Sequence, residues 1–466
     1  MDAFQIHLAQ AERHRILSER IRERDAPADD GGIRIGRIPR DHRIRVGFVS
    51  PVMLQGGAEE WHRQLLLNLE SDGRIVITGL AIAEASHVNA ETMAALTGKV
   101  PTGFGQAGIQ ALIDTSEIII VWAYDLAPYR IPPGLRIVGV SHGDGNSTYS
   151  RAAVSTVAAA ATDWVAVSPT AYAPEGVTAT VLPNGADLHR LDATRSRADV
   201  RAELGLAAGD RAVLYVGRLA TEDKCVDRIV STVAELPNRY KLVLVGSGWE
   251  SGQVLTRCRE LIPDRYRHVP WTDRPGDYMR AADVGVLMSR TESFGIVLAE
   301  MLACGLPVVS TPVGLAAMHP EHFGHFVAGR SFAATIHADF ADRRRRSRTL
   351  EGAELVRREY STTAFVARWQ DYLTSIAPPP PELPSVWTMA RNLVSAYASQ
   401  IAAGNPILTE AQTAARLAVC EVCPQRIPGT WRCGGMTGCG CHLTEKAPLA
   451  TAVCPSSRWP SSASRA

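Results

Sequence analysis

The sequence lacks any long apolar run. No stretch of its 466 residues reaches the ~18–20 consecutive apolar residues that a membrane-spanning helix needs. The segment Met1–Arg24 does not have the form of a signal peptide, because Glu12, Arg13, Glu19 and Arg20 interrupt it. We therefore expect a protein without a membrane span that resides in the cytoplasm.

An excess of one charge is also missing. The chain has 49 Lys and Arg residues against 48 Asp and Glu residues, which gives a formal net charge of +1. Such a balance argues against long-range attraction to nucleic acid or to a membrane surface. Partners must then be recognised by local sites.

Cysteine is scarce in the body of the chain and crowded at its end. Three of the nine cysteines, Cys225, Cys258 and Cys304, are scattered. The other six lie in the tail, at Cys420, Cys423, Cys433, Cys439, Cys441 and Cys454. In a chain without an export signal, such a cluster is more typical of metal ligands than of disulfides.

Short β-branched runs alternate with helix-length segments, which predicts an α/β fold with parallel sheets covered on both faces. The pattern restarts after Thr194–Leu206, so we expect two Rossmann-like units. The predicted organisation is 1–42 N-terminal helix and linker, 43–190 first Rossmann-like (acceptor) unit, 191–360 second Rossmann-like (donor) unit, 361–376 closing helix, 377–384 proline-rich linker, and 385–466 helix plus cysteine module.

Two carboxylates mark the second unit. Glu292 and Glu300 stand eight residues apart, so on one helix they would share a face, with Glu292 at the helix start. The amides of Ser293, Phe294 and Gly295 would then be free donors for a sugar hydroxyl or a phosphate oxygen. The plainer alternative is a solvated helix with two charged residues.

Two cations precede these carboxylates. Arg218 directly follows a predicted strand and Lys224 comes just before the next predicted helix. At the carboxyl edge of a parallel sheet they would neutralise a diphosphate, although ordinary surface charge is the alternative. The arginine run at 343–346, with Arg348, is interpreted as a solvated face in preference to an anion site.

The first unit offers two further candidates. Gly56-Gly57 follows the first predicted strand and precedes a helix, so the backbone could approach a phosphate or sugar closely. His142 follows another predicted strand beside Gly143. A core histidine is the alternative for His142.

Taken together, residues 43–376 resemble the retaining glycosyltransferases of the GT-B fold, specifically the family-four type that includes bacterial mannosyl- and glucosyltransferases. The resemblance covers about seven-tenths of the chain. It is carried, in the family's order, by Gly56-Gly57-Ala58-Glu59, His142, Pro183-Asn184-Gly185-Ala186-Asp187, Gly217-Arg218-Leu219 with Lys224, Ala281-Ala282-Asp283-Val284, Glu292 with Phe294-Gly295, Glu300, and Gly305-Leu306-Pro307-Val308-Val309.

This resemblance implies a nucleoside-diphosphate-sugar donor and transfer of a hexose with retention of configuration. Arg218 and Lys224 would bind the diphosphate, Glu300 the ribose, and Glu292 with the amides near Phe294-Gly295 the sugar hydroxyls. His142 would contact the sugar near its reacting face, which makes it a catalytic candidate with Arg218, Lys224 and Glu292. The Gly56-Gly57 turn would close the site, and Val269 would lie near the nucleobase.

The resemblance also has limits. No Asp-rich motif accompanies the site, so no catalytic metal is expected. Ser289-Arg290-Thr291 and the single glycine of Val313-Gly314-Leu315 depart from the family pattern and leave the donor sugar open.

The tail is similar to zinc-ribbon-like modules of phage and environmental bacterial proteins. Its Cys420-x-x-Cys423-Pro, Cys439-Gly-Cys441, Lys446 and Cys454-Pro elements carry the likeness. Thiolates at this spacing can converge on one structural zinc ion, and the metal would contribute folding energy to a short, core-poor segment. Which four of the six cysteines bind it stays open, because the interval from Cys433 to Cys439 is longer than usual.

Two other functions fit the same residues. A GT-B protein with a complete donor site could be a nucleotide-sugar epimerase. The chain could also be a catalytically silent scaffold whose zinc tail binds a partner.

Overall fold

The computed structural model describes residues 43–54, 56–143, 154–155, 157–324, 331–379, 383–427, 430–434 and 438–459. The predicted N-terminal helix and linker lie outside these residues. Among the described helices, none combines the length and apolar character needed to cross a membrane.

The first unit is built on a parallel seven-stranded sheet of order β3-β2-β1-β4-β5-β6-β7. Its strands are β1 Ile44–Ser50, β2 Ile75–Ile82, β3 Thr102–Phe104, β4 Ile118–Trp122, β5 Arg136–Ser141, β6 Asp163–Ala166 and β7 Thr180–Val181. Its helices are α1 Gly57–Asn68, α2 Ala90–Ala94 and α3 Gly105–Thr115.

Both faces of this sheet are buried. On β4, Ile118 and Ile120 join the apolar cluster on one face, and Ile119 and Val121 join the cluster on the other. Successive strand side chains point to opposite faces, so a continuous apolar run fills two cores. Position 139 accommodates only glycine, because a Cβ there would clash with the ring of Trp164.

The second unit is built on a parallel five-stranded sheet of order β10-β9-β8-β11-β12. Its strands are β8 Arg211–Val216, β9 Tyr240–Val245, β10 Tyr266–Val269, β11 Val284–Leu287 and β12 Val308–Ser310. Its helices are α4 Arg197–Glu203, α5 Val226–Glu235, α6 Ser251–Leu261, α7 Pro275–Ala281, α8 Ile296–Ala303, α9 Leu315–Met318, α10 Phe332–Ala341 and α11 Arg345–Glu359. Short 3-10 helices occur at His189–Leu191 and Pro320–His322.

Part of the arginine run is not solvated as the sequence suggested. Arg348 is 3% exposed and pairs with Asp339 and Asp342. Arg345 bonds to Asp339 at 2.6 Å and stacks on the ring of Phe340 at 4.3 Å. These two side chains hold α10 against α11 and are not available to a ligand.

After the second unit the chain returns to the first. Helix α12, Thr362–Ile376, buries Trp369 in the apolar cluster of the seven-stranded sheet, with its ring 5.3 Å from that of Trp61. The described part of the tail contains α13 Val386–Ala402, α14 Glu410–Glu421 and α15 Leu443–Lys446. The tail has its own small buried cluster, which includes Cys420, Leu443 and Trp459.

Candidate functional site

The donor-side candidates follow two adjacent strands of the five-stranded sheet. Arg218 and Lys224 come after β8, and Glu292 comes after β11. These strands are neighbours, but β9 lies on the other side of β8 and β12 on the other side of β11. The chain therefore diverges at this point of the carboxyl edge, which is where open α/β sheets bind ligands.

Lys224 and Glu292 meet directly. The Nζ atom of Lys224 lies 2.7 Å from Oε1 of Glu292, and the same oxygen accepts a hydrogen bond from Ser289 Oγ at 2.8 Å. The Glu292 side chain is 14% exposed, so this ion pair is shielded from water. A cation and a carboxylate are thereby held side by side at the end of the sheet.

Arg218 is anchored next to this pair. Its guanidinium lies 2.5 Å from Asp223, and its backbone carbonyl accepts a hydrogen bond from Tyr215 at 2.8 Å. Burial raises the pKa of Tyr215, so the hydroxyl stays protonated and keeps donating. Arg218 itself is half-exposed and can reach a ligand.

The predicted helix start at Glu292 is wrong. Helix α8 begins at Ile296, and Gly295 caps it with φ +73°, a left-handed conformation that glycine adopts without steric cost. Glu292, Ser293 and Phe294 therefore lie in the loop before the helix, and Glu292 and Glu300 do not share a helix face. Phe294 is buried against Tyr360, with ring centroids 5.3 Å apart.

Glu300 is buried within α8. Desolvation raises its pKa to about 7, with Arg190 opposing the shift and the carboxylates of Glu60 and Asp187 adding to it. This carboxyl group titrates near neutral pH. It can accept hydrogen bonds from a diol when ionised and can donate one when protonated.

The charged residues that act on Glu300 belong to a network of ion pairs that the sequence did not predict. Arg63 of α1 bonds to Glu60 at 2.8 Å and to Asp187 at 2.5 Å, and Arg190 approaches Glu60 to 3.7 Å. The bond between Arg63 and Asp187 joins residues 124 positions apart along the chain. No local spacing signals such pairs, since they form where α1 packs beside the 184–190 segment.

The first unit contributes Gly56, Gly57 and His142 to the same region. A Cβ on Gly57 would lie 3.7 Å from the side chain of Ile296, so this glycine faces the start of α8. Ser293 Oγ donates a hydrogen bond to the carbonyl of His142. The two units therefore meet at the predicted site residues.

The ring of His142 lies in an aromatic cluster. It packs edge-on against Trp61 at 5.0 Å and Trp122 at 5.6 Å. Burial lowers the pKa of His142 to about 3, with a smaller contribution from His62, whose own pKa burial lowers to about 4. Both imidazoles are neutral at pH 7, and the Nε2 atoms of both are buried without a hydrogen-bond partner among the described residues.

Val269 lies farther along the edge. It ends β10, and its carbonyl accepts a hydrogen bond from Gly246 at 2.9 Å. Strand β9 separates it from β8 and Arg218. The structure thus brings Lys224, Glu292, Ser293, Gly57 and His142 together and places Val269 to one side.

The tail cysteines form a separate group. Cys420, Cys423, Cys433, Cys439 and Cys454 line one cavity, whereas Cys441 lines a second one beside His442 and Leu393. All nine cysteines are free thiols. Among the described residues, no three or more His, Cys, Asp or Glu side chains are arranged to hold a metal ion.

Two N–H donors point at sulfur atoms of this cavity. Trp459 Nε1 donates to Cys420 Sγ at 3.0 Å, and Lys446 Nζ donates to Cys439 Sγ at 3.3 Å. Such donors stabilise thiolates and orient them as ligands. They fit a metal-binding role for this cavity.

The second unit matches a family model. Residues 210–343 match the model described as "Glycosyl transferases group 1". Curated relatives are named D-inositol 3-phosphate glycosyltransferase: the protein of Xylanimonas cellulosilytica is 34% identical over 212 residues, which are 41% of this chain and 50% of the relative. A second such protein, of Catenulispora acidiphila, is 37% identical over 174 residues, 34% of this chain and 40% of the relative. The chain thus spans half or less of the length of these relatives.

Solved structures share the fold. Anabaena HepE in complex with UDP-glucose superposes with a TM-score of 0.60 at 17% identity, covering 72% of this chain and all of that one. Sucrose-phosphate synthase from Thermosynechococcus elongatus superposes with a TM-score of 0.55 at 19% identity, covering 72% and 99%. The two parallel α/β units therefore have the GT-B glycosyltransferase fold, as the sequence predicted.

Proposed function

We propose that this chain is a glycosyltransferase that moves a hexose from a nucleoside-diphosphate sugar to an acceptor with retention of configuration. The observation that carries the proposal is the convergence of Lys224, Glu292 and Arg218 at the carboxyl edge of the second sheet, opposite Gly57 and His142 of the first unit. The group 1 glycosyltransferase domain contains all three donor-side residues.

Charge development explains these residue types. Departure of a nucleoside diphosphate places negative charge on a phosphate oxygen, and the cations of Arg218 and Lys224 would stabilise it without a metal. Glu292 would accept hydrogen bonds from hydroxyls of the transferred sugar once Lys224 turns toward the phosphate. In the proposed front-face reaction the departing phosphate oxygen takes the acceptor proton, so no carboxylate nucleophile is needed.

His142 and Glu300 would bind hydroxyl groups of the donor. A neutral His142 can exchange a hydrogen bond with a sugar hydroxyl without adding charge. Glu300, when ionised, would accept hydrogen bonds from the ribose hydroxyls. Ser293 and Phe294 lie in the loop that leads into α8, where their amides would support the sugar.

The curated relatives are named for D-inositol 3-phosphate, so this compound is the first acceptor to test. Full-length protein is incubated with UDP-, GDP- and ADP-hexoses, with and without that acceptor, and the products are analysed by mass spectrometry. A glycosylated acceptor supports transfer, an isomerised donor sugar indicates an epimerase, and donors that stay unbound and unchanged would overturn the proposal.

For the tail we propose a structural zinc site in a protein of the cytoplasm, where thiols stay reduced. Five cysteines around one cavity, with N–H donors aimed at two sulfur atoms, support it. Binding would draw four thiolates closer than they now lie, and a zinc ion closed by four thiolates would supply folding energy and no catalysis.

A further inference from the structure

Trp249 is an unusually exposed aromatic residue beside the proposed phosphate site. It follows β9, and its side chain is 76% exposed. The guanidinium carbon of Arg218 lies 4.7 Å from its ring centroid, the geometry of a cation–π contact. Exposure of so large an apolar ring is explained if the ring supports a functional cation.

The loops that carry these two residues are joined. Leu219 N donates to Ser247 O at 3.2 Å, and Thr221 N donates to the carboxylate of Glu250 at 2.6 Å. A Cβ on Gly248 would lie 2.7 Å from the carbonyl of Leu219, so the backbones are in close contact. The position of Trp249 is therefore coupled to that of Arg218.

A ring beneath a guanidinium has a specific advantage over an ion pair. The partner of Arg218 at its edge is Asp223, at 2.5 Å, and that carboxylate occupies donors that a phosphate would need. The contact with Trp249 is made over its ring and needs no carboxylate, so it can hold the cation in place while the guanidinium N–H groups exchange Asp223 for two oxygens of a phosphate.

We propose that Trp249 is a positioning residue that holds the Arg218 guanidinium in the orientation that binds the donor diphosphate. This inference rests on the proposed function and deepens it, since it assigns a task to a side chain that need not touch the sugar or the base. Trp271, which follows β10 and is 45% exposed, lies one strand farther along the edge.

The test is a double-mutant cycle read by calorimetric binding of UDP, GDP and inorganic pyrophosphate. Trp249→Ala should weaken all three ligands about two- to fivefold, the range of an exposed cation–π contact. Trp249→Phe should restore most of the affinity because it keeps a ring. In the Arg218→Ala background, Trp249→Ala should have no further effect. The matched control is Trp387→Ala, which removes an 87% exposed tryptophan on α13.

Three results would overturn the inference. One is full affinity in Trp249→Ala, and another is the same loss with and without Arg218. A loss that affects UDP or GDP but not pyrophosphate would make Trp249 a base-stacking residue instead. If Arg218→Ala itself leaves pyrophosphate affinity unchanged, the phosphate site is misassigned and the proposed function fails with it, an outcome distinct from the first three.

Discussion

Lys224 and Arg218 are the residues on which the proposed chemistry depends most. Replacing either with alanine should remove a charge-assisted contact to the departing diphosphate and cost about 2–4 kcal/mol of transition-state stabilisation. Folding should change little, because both side chains are partly exposed. The measurement is kcat/KM for donor hydrolysis or transfer.

Lys99→Ala provides the control for this experiment, since Lys99 is an exposed lysine in the turn before β3. It should keep wild-type turnover. Normal turnover in both Lys224→Ala and Arg218→Ala would show that the diphosphate binds elsewhere.

Glu300 predicts a pH dependence of donor binding. Burial raises its pKa to about 7, so protonation below that pH removes the hydrogen-bond acceptor that we propose for the ribose. Donor KM should rise as the pH falls from 8 to about 6, and Glu300→Gln should bind weakly at both pH values. A donor KM that is flat in the wild type would contradict the role.

The raised pKa of Glu300 also makes the free energy of unfolding depend on pH. The folded pKa of Glu300 lies above the ordinary value of 4.5, so between these values the folded state binds more protons than the unfolded state. The free energy of unfolding therefore falls as the pH rises through this window. Urea unfolding of wild type and Glu300→Gln at pH 5 and pH 8 measures it, and the variant should lose less stability on raising the pH.

Motif spacing could predict individual residues but not their partners. Lys224 and Glu292 were identified because each follows a recognisable strand, yet nothing in the sequence indicates that they form a direct ion pair. The network of Arg63 with Asp187 depends on how two distant segments pack. Trp249 was missed because a lone aromatic in a loop has no signature until its distance to Arg218 is known.

At the scale of elements, the Gly56-Gly57 turn gives the next prediction. Gly57 is the first residue of α1, and an added Cβ meets nothing closer than Ile296 at 3.7 Å. Gly57→Ala should fold normally, because alanine is the better helix former. Gly57→Val should fold but lose donor turnover, since its branched side chain would project toward the start of α8.

Thermal unfolding and donor turnover of the two Gly57 variants separate folding from function. Scattering with and without UDP adds a second readout, because closure of the cleft should compact the wild type. A Gly57→Val protein that turns over normally would remove the reason for placing this turn at the sugar.

Element prediction succeeded where the pattern was strong and failed where backbone detail decides. The apolar runs Arg43–Ser50, Glu117–Ala123 and Ala212–Gly217 predict β1, β4 and β8 to within one residue at each end. The short strand β3, three residues long, was missed because it carries little apolar signal. The start of α8 was predicted too early. The residues around Gly295 are compatible with a helix, so the sequence does not indicate that Gly295 adopts a left-handed conformation.

At the scale of the whole molecule, the tail and the proposed active site lie at opposite edges of the seven-stranded sheet. Arg458 of the tail donates to the carbonyl of Ile113, near the end of α3, at 3.5 Å. Burial lowers the pKa of Arg45, at the start of β1, to about 10, and Cys423 and Arg458 of the tail lie close enough to make smaller contributions. Gly56 follows the far end of β1, and seven residues of strand span roughly 20 Å.

This separation predicts that the tail stabilises the protein without taking part in donor chemistry. Truncation after Ala377 keeps α12, whose Trp369 completes the core of the first unit, and removes every tail cysteine. Donor hydrolysis should therefore stay measurable, while the zinc found in the full-length protein by elemental analysis under reducing conditions should be lost. The truncated chain should also unfold at a lower temperature, because Arg458 no longer covers the end of α3.

Zinc-free full-length protein would exclude the metal site, and loss of donor binding on truncation would show that the tail acts on the active site despite the intervening sheet. Retained donor hydrolysis with loss of transfer would instead assign the tail to the acceptor.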